Sequence, residues 1–183
     1  MARILVAYAS TEGQTRKIAE YLADTLRTRG HAVDCLDCAA PAAARFEPAA
    51  GAHAGAILAG SLHQSKYQAA LLHFAGSRRE WLAGVPCAFV SVSLSALLDD
   101  AGTQAELERL AHEFCAQTGL APQLTLQAKG ALRYTQYDWF KRMLMKLIAD
   151  KIGGSSDATR DHEFTDWNEL QRFADRFAAL LAA

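Results

Sequence analysis

Short apolar runs alternate along the chain with longer segments in which apolar residues recur every three or four positions. The short runs have the length of buried strands, whereas the longer segments have the spacing of amphipathic helices. We therefore predict strands at residues 3–9, 31–36, 55–60, 86–92 and 123–128. The predicted helices cover residues 15–29, 67–81, 104–119 and 166–181.

The third predicted strand, at residues 55–60, is apolar throughout and begins and ends with glycine. A strand without polar alternation is typical of a parallel sheet that helices cover on both faces. Because strands and helices alternate, the pattern predicts an α/β fold, a three-layer sandwich with a five-stranded parallel sheet. A chain of 183 residues is expected to form one domain, residues 1–183.

The loop after the first strand carries the strongest functional signal. Residues 7–15 read Ala-Tyr-Ala-Ser-Thr-Glu-Gly-Gln-Thr and lead directly into a predicted helix. The hydroxyls of Ser10, Thr11 and Thr15, the adaptable backbone of Gly13 and the free amides of a helix start suit a phosphate. The loop has neither Gly-x-x-x-x-Gly-Lys nor Gly-x-Gly-x-x-Gly, so a monophosphate is favoured, as in flavin mononucleotide (FMN). The alternative is that Ser10 and Thr11 only cap the helix.

Three predicted loops begin with serine directly after an apolar strand, at residues 10–15, 61–67 and 91–95. The carboxyl ends of parallel strands meet at one end of the sheet, and ligands of such folds bind there at the topological switch point. We therefore expect the three loops to form one site.

Composition and charge narrow the class of protein. A hydrophobic content of 51%, a charged content of 21% and a net charge of −1 indicate a globular chain and give no reason to expect nucleic-acid binding. The chain starts with a strand rather than a signal peptide, and no apolar run approaches the ~20 residues of a membrane span. We expect a cytoplasmic protein, with attachment to a membrane surface left open.

The four cysteines are Cys35, Cys38, Cys87 and Cys115. The first two form a Cys-x-x-Cys motif, but neither a second pair nor His-x-x-x-His follows, so a zinc site lacks ligands. A thioredoxin-like motif would follow the first strand, whereas this motif follows the second. We expect reduced thiols and no bound metal, with a redox or metal role as the alternative.

Residues 130–156 lie outside the minimal alternation of strands and helices. Apolar and aromatic residues recur there at helical spacing, and six basic residues stand against two acidic ones between positions 129 and 151. A basic amphipathic helix from Tyr137 to Ile152 suits an anionic membrane surface. The alternative is that its apolar stripe belongs to the core.

With its first loop, the following helix and its order of elements, the chain resembles flavodoxins. Its carboxyl-terminal part resembles a narrower family, the flavodoxin-like protoporphyrinogen oxidases of bacterial haem synthesis, also called menaquinone-dependent protoporphyrinogen IX dehydrogenases. The resemblance extends over essentially the whole chain, with residues 130–156 as a family-specific insertion. The segments that carry it are Gly130-Ala131-Leu132-Arg133-Tyr134, Tyr137-Asp138-Trp139-Phe140, Met145-Lys146-Leu147-Ile148, Gly153-Gly154 with Asp157-Ala158-Thr159-Arg160, and Phe164-Thr165-Asp166-Trp167.

The resemblance implies FMN as cofactor, protoporphyrinogen IX as substrate and a quinone, menaquinone or ubiquinone, as electron acceptor. It also implies a peripheral position at the cytoplasmic face of the cell membrane, with contact through the segment from Tyr137 to Ile152. Family members often have glycine where this chain has Lys66. The implied cofactor-binding residues are Ser10, Thr11, Glu12, Gly13, Gln14, Thr15, Ser61, Leu62, His63, Ser91, Val92, Ser93 and Leu94.

Two side chains are candidates for a direct role in the reaction. As a histidine, His63 is suited either to relay protons or only to line the pocket. Arg133 is suited either to bind a propionate group through two hydrogen bonds or to form a surface ion pair. Two other functions remain alternatives: an electron-shuttle flavodoxin, which usually has a strongly acidic face, and an NAD(P)H:quinone reductase, for which the sequence has no nucleotide fingerprint.

Overall fold

The computed structural model describes residues 1–48, 51–132 and 162–182. Its strands are β1 (Arg3–Ala9), β2 (Ala32–Asp37), β3 (Gly55–His63), β4 (Lys66–Tyr67), β5 (Cys87–Ser93), β6 (Leu124–Lys129), β7 (Ala131–Leu132) and β8 (His162–Glu163). Its helices are α1 (Gln14–Thr28), α2 (Pro41–Ala44), α3 (Ala69–Ser77), α4 (Arg79–Ala83), α5 (Ala101–Thr118) and α6 (Trp167–Leu180), with a 3₁₀ turn at Ser95–Leu97.

The predicted strands form a parallel sheet in the order β2-β1-β3-β5-β6, which confirms the predicted fold class. In the register of this sheet, Val6 of β1 lies between Cys35 of β2 and Ile57 of β3. The chain moves from β1 outward to β2 and then returns to the other side of β1 to form β3. Such a reversal opens a crevice at the carboxyl ends of the two strands.

Helices cover both faces of the sheet, and the side chains of β1 are buried alternately on the two sides. The sheet has a hydrophobic core on each face. Ile4 and Val6 belong to the core formed with α1 and α6, whereas Leu5 and Ala7 belong to the core formed with α3 and α5. All residues of β1 after Arg3 are buried, which explains why this strand lacks polar alternation.

The predicted helix over residues 67–81 is observed in part: α3 and α4 form most of it with a break at Arg78, whereas Tyr67 belongs to β4. The strand β3 continues to His63, turns through Gln64 and Ser65, and returns so that Tyr67 pairs with Leu62 in an antiparallel hairpin. This turn was not predicted, because turns of this kind usually contain Asn-Gly or Asp-Gly, whereas this one contains Gln64-Ser65.

The predicted insertion, residues 130–156, lies outside the described residues except for residues 130–132. Residues 133–156, including the predicted helix from Tyr137 to Ile152, are not described. The strands β7 and β8 that flank the segment pair antiparallel, with Ala131 opposite Glu163. Because β7 follows β6 almost directly, the β7–β8 pair lies at the carboxyl end of the sheet.

The four cysteines are free thiols. Cys35 packs against the core of α1 and α6, whereas Cys38 belongs to the core of α3 and α5, so the two thiols lie on opposite faces of the sheet. Burial raises the pKa of Cys38 to about 12, which keeps this thiol protonated. Within the described part of the chain, no His, Cys, Asp and Glu side chains cluster to hold a metal ion, and no helix has the length and hydropathy to span a membrane.

Candidate functional site

A cleft opens at the carboxyl end of the sheet, next to the reversal between β1 and β3. The loops after β1, β3 and β5 therefore converge as predicted. All of the predicted cofactor-binding residues except Gly13 and Ser91 line this cleft. The complete lining is Ser10, Thr11, Glu12, Gln14, Thr15, Ser61, Leu62, His63, Val92, Ser93, Leu94, Gly130 and Ala131.

The loop after β1 presents the start of α1 to the cleft. Gly13 is the N-cap residue of this helix, and its φ of +91° lies in the left-handed region that favours glycine. Among the described residues, no side chain caps the helix, and its first turn holds no acidic residue. The first amides and the positive end of the helix dipole are therefore available to an anion.

The hydroxyl groups of this loop can still donate hydrogen bonds. Ser10 Oγ accepts from the Gly13 N–H at 2.9 Å, and Thr11 Oγ1 accepts from Gln68 Nε2 at 2.9 Å. Since a hydroxyl accepts and donates at the same time, each O–H can still bind a ligand. Thr15 is buried in the first turn of α1 and also lines the cleft. Ser10 thus closes the loop without capping the helix.

The turn between β3 and β4 forms part of the cleft wall. Gln64 and Ser65 have φ values of +47° and +59°, so two consecutive residues with side chains adopt the left-handed region. This conformation is strained for residues other than glycine. The turn brings His63 to the cleft and Lys66 directly opposite His63 on β4.

Tyr67 holds this hairpin against the sheet. Its ring centroid lies 5.4 Å from that of Phe89 and 5.0 Å from that of Phe114, and its hydroxyl donates to Ser91 Oγ at 2.9 Å. Burial raises the pKa of Tyr67 to about 12, so the phenol stays neutral. Ser91 was predicted to contact the cofactor, but its side chain is fully buried and supports the hairpin through Tyr67. A Cβ atom at Gly60 would lie 2.9 Å from the Tyr67 ring, which explains the glycine there.

The opposite wall joins the loop after β5 to the start of β7. Ser93 Oγ accepts from the Ala96 N–H at 3.2 Å, and the Ser93 carbonyl accepts from the Gly130 N–H at 2.9 Å. A Cβ atom at Gly130 would lie 3.4 Å from the Ser93 backbone, an ordinary van der Waals distance, so the hydrogen bond rather than the glycine joins the two segments. Gly130 and Ala131 were not predicted as site residues, although their position directly after the last parallel strand was a usable signal.

The segment after β8 ties the carboxyl-terminal part of the chain to the first loop. Thr165 Oγ1 accepts from Gln14 Nε2 at 2.9 Å and donates to the Lys129 carbonyl at 2.8 Å. An ion pair with an N–O distance of 3.0 Å joins Lys17 to Glu163. These contacts fix the start of α1 relative to the end of β6.

Of the two side chains predicted to act in the reaction, His63 lies in the cleft, whereas Arg133 lies outside the described residues. A separate cavity of about 690 Å³ lies between α5 and β6 and is lined largely by small apolar residues. The carboxyl end of α5 borders this cavity, and the negative end of a helix dipole disfavours a phosphate. Burial raises the pKa of its cysteine, Cys115, to about 11. The first cleft is therefore the better candidate for an anionic cofactor.

Comparisons with known proteins agree with this geometry. The model of the flavodoxin domain family matches residues 5–159. A protein of Leishmania major named protoporphyrinogen IX dehydrogenase (quinone) is 32% identical over 97% of this chain and 75% of its own length. The protein of the same name from Escherichia coli strain K12 is 30% identical over 97% of this chain and 96% of its own.

A solved structure gives the same fold. The C101A mutant of a flavodoxin from Pseudomonas aeruginosa matches with a TM-score of 0.57 and 16% identity, covering 99% of both chains. The fold and the cleft define a flavodoxin-type flavoprotein, which takes a flavin cofactor. The chain belongs to the flavodoxin family and, within it, to the family of the proteins named protoporphyrinogen IX dehydrogenase (quinone).

Proposed function

We propose that this protein is an FMN-dependent oxidoreductase of haem biosynthesis that oxidises protoporphyrinogen IX to protoporphyrin IX and uses a membrane quinone as electron acceptor. The observation that carries the proposal is the similarity over 97% of the chain to relatives named protoporphyrinogen IX dehydrogenase (quinone). This similarity includes the segment between β7 and β8, which the minimal alternation of strands and helices does not require.

FMN suits the cleft because donors for a phosphate line it at the start of α1. They are the first amides of this helix and the hydroxyls of Ser10, Thr11 and Thr15, and the described lining residues include no lysine. These residues would hold the terminal phosphate of FMN. The loops after β3 and β5, with Leu62 and Val92 among their lining residues, would hold the flavin ring.

The cofactor and the chain have different tasks in this proposal. When bound, the flavin supplies the electron-transfer chemistry in successive two-electron steps. The chain supplies an apolar part of the lining, from Leu62, Val92 and Leu94, against which the flavin ring would pack. His63 is a titratable side chain in the cleft and is suited to take up protons that the substrate releases.

The quinone acceptor places the reaction at a membrane surface, because a quinone with an apolar tail stays within the bilayer. We propose a peripheral position on the inner face of the cell membrane. The support is the excess of basic residues between positions 129 and 151, since each basic residue near anionic lipid contributes roughly 1 kcal/mol to binding.

Replacing Lys141, Arg142 and Lys146 together by glutamate is expected to reduce binding to anionic liposomes and to slow quinone turnover. Flavin content and thermal unfolding should remain those of the wild type. Unchanged liposome binding, or loss of flavin with unfolding, would contradict the membrane contact.

The function is tested with purified, flavin-loaded protein in a steady-state assay that follows porphyrin fluorescence. We expect porphyrin formation to require added quinone and to be independent of NADPH. Rapid flavin reduction by NADPH without any effect of porphyrinogen would favour a quinone reductase. If neither porphyrinogen nor NADPH supported turnover, an electron shuttle would be favoured. Mass spectrometry of the released flavin should give FMN, and FAD as the tightly bound flavin would contradict the proposed cofactor.

A further inference from the structure

Two neighbouring helices, α1 and α6, begin at the carboxyl end of the sheet and differ in how their first turns are held. The start of α6 is capped by Asp166, whose side chain accepts from the Glu169 N–H at 3.0 Å. The start of α1 has no such cap among the described residues, which leaves its first amides open to the cleft. Because an uncapped helix end frays more readily, the open start of α1 needs support from another part of the chain.

Thr165, the residue directly before the Asp166 cap, provides this support. Its hydroxyl donates to the Lys129 carbonyl at 2.8 Å and accepts from Gln14 Nε2 at 2.9 Å. A carbonyl oxygen can only accept, so the Thr165 hydroxyl donates there and the Gln14 amide must present an N–H to Thr165. The Gln14 side chain is thereby held between α1 and the end of β6 in a single orientation.

Gln14 is itself a residue of the cleft. It is the first residue of α1, and it lines the cleft together with the next residue, Thr15. The backbone N–H of Gln14 is one of the free amides at the helix start. A hydrogen bond that restrains the Gln14 side chain also restrains the residue that carries this amide. Donors that are fixed before binding lose less conformational freedom when a ligand arrives.

Contacts on both sides of Thr165 hold this segment along α1. Glu163 lies opposite Ala131 in the β7–β8 pair and forms an ion pair with Lys17 at 3.0 Å. The ring centroid of Trp167 lies 4.9 Å from that of Tyr21 on α1. The hydrogen bond from Gln14 to Thr165 therefore belongs to a continuous contact between α1 and the segment from Glu163 to Trp167.

We infer that Thr165 is a positioning residue for the phosphate of the cofactor, an inference that rests on the proposed binding of FMN. Thr165 does not line the cleft, so it acts through Gln14, which does. By holding the first turn of α1 in place, it increases the affinity of the cleft for a flavin that carries a phosphate. A flavin without a phosphate gains nothing from this contact.

The test compares FMN with riboflavin, which has the same ring and ribityl chain but no phosphate. The flavin-free protein is titrated with each flavin, and the loss of flavin fluorescence gives Kd. Thr165→Val removes the hydroxyl and keeps the shape of the side chain, whereas Thr165→Ser keeps the hydroxyl. We expect Kd for FMN to rise about fivefold in Thr165→Val, with Kd for riboflavin unchanged. Thr165→Ser should bind both flavins as the wild type does.

Thr118→Val is the matched control for the loss of a threonine hydroxyl. Thr118 is buried at the carboxyl end of α5, near the amino end of the sheet, and donates to the Phe114 carbonyl at 2.8 Å. This variant loses a comparable hydrogen bond far from the cleft. Its Kd values for FMN and riboflavin should therefore equal those of the wild type.

A double-mutant cycle tests whether Thr165 acts through Gln14. Gln14→Met removes the side-chain amide at similar length and keeps the backbone N–H. We expect Gln14→Met to raise Kd for FMN and not for riboflavin, and we expect the double variant with Thr165→Val to bind FMN no more weakly than the weaker single variant. Gln14→Met also tests the contact if Thr165→Val does not fold, which thermal unfolding of the flavin-free variants shows.

Three results would overturn the inference alone. They are an unchanged Kd for FMN in Thr165→Val, an equal rise of Kd for riboflavin, and losses of FMN affinity that add in the double variant. If the wild type binds FMN no more tightly than riboflavin, the proposed phosphate site is wrong and the inference falls with it. If the wild type binds FMN tightly but does not oxidise protoporphyrinogen IX, the proposed reaction is wrong and the inference stands.

Discussion

The two ends of the parallel sheet use their polar side chains differently. At the amino end, Arg3 donates to Asp34 at 2.7 Å, and His53 Nε2 lies 2.8 Å from the same carboxylate. At the carboxyl end, Ser10 and Thr11 accept hydrogen bonds and keep their own O–H groups. Polar groups that satisfy one another hold the fold together, whereas groups with a donor left over are able to bind a ligand.

The two ends of the sheet also differ in how tightly side chains pack around their polar groups. His53 is buried against Phe46 and Trp81, with ring centroids 5.5 and 6.0 Å away. Arg78 closes this cluster, because its guanidinium lies 4.4 Å from the Phe74 ring centroid and donates to the Phe46 carbonyl. The amino end is thus filled with side chains, whereas the carboxyl end is left open by loops.

The strongest test of this comparison removes the carboxylate at the amino end. Asp34→Ala leaves the buried His53 Nε2 without its partner, and we expect a loss of about 2 kcal/mol in the free energy of unfolding. The exposed Arg3 pair adds little to that loss. Urea unfolding of the flavin-free protein measures it, and flavin affinity should not change. Asp24→Ala, which breaks an exposed pair with Arg27, is the control and should cost under about 0.5 kcal/mol.

The pH dependence of this variant gives a second check. The hydrogen bond from Arg3, followed by that from His53, holds the pKa of Asp34 below its ordinary value. A carboxylate with a lowered folded-state pKa stabilises the fold at neutral pH and loses this effect as the pH falls through that pKa. The stability difference between the wild type and Asp34→Ala should therefore shrink below about pH 4. A difference that stays constant to lower pH would show that the carboxylate charge is not the cause.

The carboxyl end should show the opposite behaviour. Thr15→Val keeps the buried shape of this side chain but removes its hydroxyl, and we expect roughly tenfold weaker FMN binding, about 1.4 kcal/mol, with unchanged stability of the flavin-free protein. Thr25→Val is the matched control, since Thr25 is buried on the same helix far from the cleft. Isothermal titration with FMN measures both. Equal losses of affinity in the two variants would contradict a specific role of Thr15.

The sequence was sufficient for features that depend on local pattern and on the geometry of parallel strands. The apolar stretch that begins at Gly55 predicts a central strand, and the serines at the ends of three strands predict one cleft. Both features are observed. They follow from burial on two faces and from the parallel direction of the strands, which the chain encodes in segments of a few residues.

The parts that were not predicted depend on contacts between distant segments or on unusual backbone. Gln14 meets Thr165, 151 positions along the chain, and no local pattern indicates such a pair. The turn at Gln64 and Ser65 uses residues that seldom adopt the left-handed region, so the sequence predicted a loop at residues 61–67 and no hairpin. Ser91 lies near the carboxyl end of β5, as predicted, but its side chain accepts a hydrogen bond from Tyr67 of the hairpin instead of lining the cleft.

A smaller effect is expected at the hydrogen bond from Tyr67 to Ser91, which satisfies a buried pair of polar groups directly beside the cleft. Tyr67→Phe removes the donor to the buried Ser91 Oγ and should lower the free energy of unfolding by about 1 kcal/mol at neutral pH. Burial raises the folded-state pKa of Tyr67 from 10.0 to about 12, so its contribution is complete below pH 10 and is lost as the pH rises toward 12. Denaturant unfolding at pH 8 and pH 11 should therefore show a steeper decline for the wild type than for Tyr67→Phe. Parallel declines would mean that Tyr67 ionises alike in both states.

The smallest expected effect is a gain, at the strained turn that leads to Lys66. Ser65 has φ +59°, and relief of the left-handed strain by Ser65→Gly, offset by the greater freedom of glycine in the unfolded chain, should stabilise the fold by about 0.5 kcal/mol. Ser65→Ala is the control, because alanine keeps the Cβ atom and should give no gain. Thermal unfolding measures both variants. If alanine stabilised the fold as much as glycine does, the gain would come from loss of the Ser65 hydroxyl. The turn beside the cleft would then store no backbone strain.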